Sequence, residues 1–163
     1  MMGKITGIWT VFAMMMLSVA SVHAQTVGSS LPDVPWETIE ETGNQLLNKQ
    51  SEISSDELIE LLLNSPEKVF VVDLRDSIDA AGSYIPGSVV LPYEKIYSAE
   101  IINKLPDDRL IVAYCYRAQR SAKAWFAWKL AGKEVKSLMG GFGAWSYRAA
   151  DHPEFEKLIE SSR

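Results

Sequence analysis

The sequence predicts an α/β fold with a central, mainly parallel sheet of about five strands and helices on both faces. Three observations carry that expectation. Residues 69–74 (Val69-Phe70-Val71-Val72-Asp73-Leu74) and 110–114 (Leu110-Ile111-Val112-Ala113-Tyr114) are almost unbroken apolar runs. Strands covered on both faces read this way, whereas half-exposed strands alternate. Helical patterns stand between the strand-like runs instead of being grouped apart from them. The 163 residues, 47% apolar and 23% charged, suit one globular domain.

The elements follow in order. Residues 1–24 hold one basic residue, Lys4, and no acidic one, with an apolar run over 5–20. Val22-His23-Ala24 offers small residues at the offsets a leader peptidase needs, so cleavage is expected between Ala24 and Gln25. The alternative is an uncleaved membrane anchor, but the run is short of the ~20 residues of a spanning helix. Export to the periplasm or beyond is the expectation, with no stable membrane association after cleavage. Residues 25–50 form an N-terminal extension, with Gly28, Ser29, Ser30, Pro32 and Pro35 followed by a helix over 36–49. Its expected apolar side is Ile39, Leu46 and Leu47, with Gly43 a weak point.

The main domain is expected over 51–163. Ser54 with Glu57 three residues on is a capping box opening a leucine-rich helix that ends before Pro66. After the 69–74 strand come a short helix over 76–81, a turn at Pro86-Gly87, a strand over 88–91 and a helical piece over 92–97. The 110–114 strand leads to a helix over 121–131, closed by Gly132. A last strand over 135–138, a Gly140-Gly141-Phe142-Gly143 turn, a helix from 144 and a terminal helix over 153–161 complete the chain.

The chemistry centres on Cys115, the only cysteine. Without the leader the net charge moves from −5 to −6, which argues against nucleic acid as a partner. Any anion site must therefore be local. One histidine outside the leader, His152, and one cysteine cannot assemble a Cys/His metal site, and no cofactor is expected. His152 precedes Pro153 at a helix start and reads as a surface cap, so Cys115 needs activation without a general base. A lone thiol in an exported chain is either buried and inert or used. Cys115 follows a core strand, and Arg117 and Arg120 follow it within five residues. If the loop curls round the sulfur, the amides of Tyr116, Arg117, Ala118, Gln119 and Arg120 converge on it. The start of the next helix adds partial positive charge. A thiol in that cradle is expected to lose its proton readily and act as a nucleophile.

Five segments in order resemble a single-domain rhodanese over roughly residues 51–150. They are Ile53-Ser54-Ser55-Asp56-Glu57-Leu58, Val71-Val72-Asp73-Leu74-Arg75, and Tyr84-Ile85-Pro86-Gly87-Ser88 with Leu91-Pro92. Cys115-Tyr116-Arg117-Ala118-Gln119-Arg120-Ser121 and Leu138-Met139-Gly140-Gly141-Phe142-Gly143-Ala144-Trp145 complete the set. The resemblance implies a three-layer rhodanese-like sandwich and sulfur transfer. Cys115 would take a sulfane sulfur from thiosulfate or a similar donor and pass it, as a persulfide, to a thiophilic acceptor. A thioredoxin-like protein is one possible partner. By the same resemblance, residues Tyr116, Arg117, Ala118, Gln119, Arg120 and Ser121 form the substrate-binding loop, with Arg117 and Arg120 meeting the donor's sulfonate. Asp73 and Arg75 are read as a structural ion pair.

Three residues depart from the family pattern: Ala118 and Ser83 stand where Gly is usual, and Tyr84 where His is usual. If position 118 needs positive φ, alanine there is strained. Two other readings remain. A Cys-based phosphatase would use a loop one residue longer, with Arg six positions after Cys, not five. The other is a binding module with vestigial chemistry; exposed aromatics in the Tyr114–Tyr116 region and at Trp36 could serve either reading.

Overall fold

The computed structural model describes residues 34–161. The expected leader, its cleavage point, residues 25–33 and residues 162–163 lie outside that range. Five strands, β1 (Glu52–Ile53), β2 (Val69–Asp73), β3 (Val89–Val90), β4 (Leu110–Tyr114) and β5 (Val135–Leu138), form one sheet in the order β1-β5-β4-β2-β3. Every pairing is parallel. In the centre Val69 pairs with Leu110 and Asp73 with Tyr114, so β2 and β4 end level with each other.

Alternation along these strands divides the core. Val69, Val71, Val112 and Tyr114 face a cluster completed by α2 (Ser55–Asn64), α6 (Gly141–Ala150) and α7 (Phe155–Ser161). Val72, Ile111, Ala113 and Cys115 face another, with Ala124, Trp125 and Trp128 of α5 (Gln119–Leu130) and Ile102 of α4 (Ala99–Ile102). Two apolar faces are why the central strands read as continuous apolar runs. The two buried indoles of α5 are satisfied: Trp125 Nε1–H donates to the Val135 carbonyl and Trp128 Nε1–H to that of Ile96, each at 2.8 Å. β3, by contrast, is a sheet edge with both valines exposed.

Local signals set most boundaries. The Ser54 hydroxyl accepts from the Glu57 amide at 3.2 Å while the Glu57 carboxylate accepts from the Ser54 amide at 2.8 Å, completing the capping box. At the end of α5 the Gly132 amide donates to Lys129 and the Lys133 amide to Trp128, both at 2.9 Å, with Gly132 at φ 82°. That is a left-handed Schellman stop. A short helix α3 (Ser77–Gly82) follows β2.

Several expectations are corrected. Helix α5 begins at Gln119, two residues early, because Ala118 adopts the left-handed conformation that starts it. The glycine-rich turn is shorter than expected, since α6 starts at Gly141 after left-handed Gly140. The 92–97 piece is a 3-10 turn over Tyr93–Lys95. Helix α1 (Trp36–Leu47) packs on α5, yet its buried position is Thr42, while Leu46 and Leu47 are exposed. Tyr114 is fully buried, not an exposed aromatic; Tyr116 and Trp36 are exposed.

Candidate active site

Ligand sites in open parallel sheets lie beyond the carboxyl ends of the strands, and the candidate site is there. Cys115 follows directly on β4. Its residue is 4% exposed, and it lines a cavity of about 190 Å³. The segment after β2 supplies Arg75, Asp76 and Asp79 to the same cavity, and the cysteine loop supplies Tyr116, Arg117, Gln119 and Arg120.

The loop is bent by Ala118, at φ 64° and ψ −5°. This turn brings the start of α5 back to the cysteine; of the five amides expected to converge on the sulfur, the Arg120 N–H alone donates to Cys115 Sγ, at 3.3 Å. Behind the loop stands the glycine turn. The Phe142 amide donates to the Cys115 carbonyl at 2.7 Å and the Gly143 amide to that of Tyr116 at 3.1 Å. A Cβ at Gly141 would lie 2.4 Å from the Cys115 oxygen and 2.8 Å from the Ala118 nitrogen. Only glycine lets the two loops approach so closely.

The expected loop residues separate into groups. Tyr116, Arg117, Gln119 and Arg120 reach the cavity; Ala118 and Ser121 do not line it. Ser121 is fully buried, its hydroxyl donating to the Ala118 carbonyl at 3.1 Å and sharing a 2.8 Å hydrogen bond with Ser137. It fastens the loop to β5. Arg120 is held along the cavity wall: Nη1 donates to the Leu74 carbonyl at 3.2 Å and to Asp76 Oδ1 at 3.1 Å, and the guanidinium lies 4.9 Å from the Tyr93 ring. The Asp76 hydrogen bond raises its pKa. Arg117 makes no hydrogen bond or ion pair among the described residues; its guanidinium lies 5.9 Å from the Tyr116 ring.

Arg75 was absent from the expected site. Its guanidinium grips buried Asp73 at 2.6 Å, donates to the Ser83 carbonyl at 2.6 Å and lies 3.9 Å from the Phe142 ring. Burial opposes its charge, but the Asp73 carboxylate outweighs burial and pushes its pKa up. Tyr114 completes the network, its hydroxyl donating to Asp73 at 2.8 Å. Burial pushes the Tyr114 phenol up to about 12. The pair is therefore structural, as read from sequence, and it also presents Arg75 to the cavity. The level ends of β2 and β4 bring the two loops together. That adjacency is the signal the sequence lacks. Ser83 enters through its carbonyl alone, and Tyr84 is exposed. His152 accepts the Glu154 amide on Nδ1 at 3.3 Å, the helix-start role expected of it.

Residues 54–148 match the family described as Rhodanese-like domain. A curated relative, the probable adenylyltransferase/sulfurtransferase MoeZ of Mycobacterium tuberculosis, is 39% identical over 85 residues, covering 52% of this chain and 22% of that protein. The chain thus spans under a quarter of that relative's length. A rhodanese-like domain protein from Staphylococcus aureus superposes with a TM-score of 0.53 at 29% identity, covering 58% of this chain and 90% of the other. A Rhodopseudomonas palustris protein of unknown function, described as a possible tyrosine phosphatase, does so at 0.53 and 26%, covering 76% and 98%. Matched over more than half its length, with the cysteine loop and the glycine turn that braces it inside the matched span, the chain belongs to the rhodanese-like domain family.

Proposed function

We propose that the protein is a sulfurtransferase of the rhodanese type, carrying sulfane sulfur from thiosulfate or a similar donor to a thiophilic acceptor as a persulfide on Cys115. The observation that carries the proposal is that Cys115, though almost wholly buried, lines a small cavity while its sulfur accepts the Arg120 amide at 3.3 Å. A peptide N–H aimed at sulfur, at the start of a helix, stabilises an anion there. The same donor would serve the thiolate and the outer sulfur of a persulfide. In the first half-reaction the Cys115 thiolate attacks the sulfane sulfur, and the donor's S–S bond breaks to release sulfite. In the second, the acceptor attacks the outer sulfur and regenerates the thiolate. Two displacements through one covalent intermediate predict ping-pong kinetics.

The phosphatase alternative is weaker on this geometry. The arginine follows Cys115 by five positions, one short of the longer phosphate-binding loop, and its Nη1 is held by Leu74 and Asp76. Export through the 1–24 leader and a thioredoxin-like acceptor belong to the same proposal. Thiosulfate and cyanide supplied to the purified protein should yield thiocyanate, and Cys115→Ser should abolish it. An inert wild type that hydrolyses an aryl phosphate would favour the phosphatase, and an inert one that binds a partner protein would favour the binding module.

A further inference from the structure

Three of the five charged side chains that line the Cys115 cavity already have an ion-pair partner, one of them outside the cavity. Arg75 is paired with Asp73, and Arg120 with Asp76. That leaves one cation and one anion without an ion-pair partner among the described residues: Arg117 and Asp79, both lining the cavity. Asp79 is exposed, on the first turn of α3.

We propose that Asp79 sets donor specificity, disfavouring dianionic donors and favouring an amino-acid persulfide whose ammonium meets Asp79 while its carboxylate meets Arg117. The inference rests on the sulfurtransferase reading and narrows its donor. Attack of the Cys115 thiolate on thiosulfate gathers three negative charges at the cavity, and Asp79 adds a fourth. Attack on a zwitterionic persulfide gathers fewer. There the thiolate forms a bond to the outer sulfur, the donor's S–S bond breaks and the amino-acid thiolate leaves. The outer sulfur's proton stays on the new persulfide, so charge is conserved. Like charges close together in a partly enclosed site repel more than they would in bulk water. The effect at an exposed carboxylate is modest and falls with salt.

Single-turnover loading of sulfur onto Cys115, followed by mass spectrometry at low salt, tests this with three donors: thiosulfate, cysteine persulfide and mercaptopropionate persulfide, which lacks the ammonium. The wild type should load from cysteine persulfide at least ~10-fold faster than from thiosulfate. Asp79→Asn should speed thiosulfate by roughly 3- to 10-fold and slow cysteine persulfide by a similar factor, without slowing mercaptopropionate persulfide. Asp79→Glu should restore the wild-type order. Loading in which thiosulfate is preferred, or in which Asp79→Asn shifts no donor, overturns the donor assignment and leaves the sulfurtransferase reading standing. Failure of all three donors to load Cys115 overturns both.

Discussion

Ala118 holds a backbone φ of 64°, a conformation in which a Cβ is strained. The same turn returns the Arg120 amide to the cysteine, so the strain and the site share one residue. Ala118→Gly should relieve it, stabilising the fold by roughly 0.5–1 kcal/mol, or ~1–4 °C in melting temperature. Thermal unfolding checks this, and an unchanged or lower midpoint would show that alanine sits there without strain. The departure from glycine was legible in the sequence; that the position needs positive φ was a condition the structure supplies. Asp73 is the second residue-scale case. It is fully buried and binds Arg75 and Tyr114. Asp73→Asn would leave the guanidinium buried without its counter-charge and should cost about 3–5 kcal/mol. A denaturant midpoint close to wild type would contradict that reading.

Among the elements, α2 shows how a terminus adds stability. The Ser54 amide and hydroxyl hold the Glu57 carboxyl below its ordinary value of 4.5. A group with a lowered folded-state pKa stabilises the fold above its unfolded value, and that contribution is lost as pH falls through the folded value. Glu57→Gln should therefore be less stable than wild type at pH 7, with the gap closing as the pH falls below about 4. Melting curves at pH 7 and pH 3.5 decide it; a gap constant with pH would assign the effect to something other than the carboxylate. The glycine turn before α6 is the element that braces the cysteine loop. Gly141→Ala combines a positive φ with a Cβ 2.4 Å from the Cys115 carbonyl. It should destabilise by about 1–3 kcal/mol and lower sulfur transfer more than stability alone explains. An active, stable variant would show that the turn is not a brace.

At the scale of the whole molecule, the two apolar faces of β2 and β4 were readable because burial on both sides leaves no alternation. The capping box and the Gly132 stop were readable because each is a local code. Helix α1 was readable as a helix but not in its orientation: it packs on α5 and its buried residue is Thr42, while Leu46 and Leu47 are exposed. The cavity was half legible. Its cysteine loop is one continuous stretch, whereas Arg75, Asp76 and Asp79 arrive only because β2 lies beside β4, and strand order is not written in either strand. This convergence is what would make Cys115 a carrier of sulfur. Mass spectrometry of the intact protein after exposure to a sulfane sulfur donor tests it most directly. A gain of one sulfur atom is expected, mapped to Cys115, absent from Cys115→Ser and removed by cyanide. A protein whose mass never changes, or whose added sulfur lies elsewhere, would contradict it.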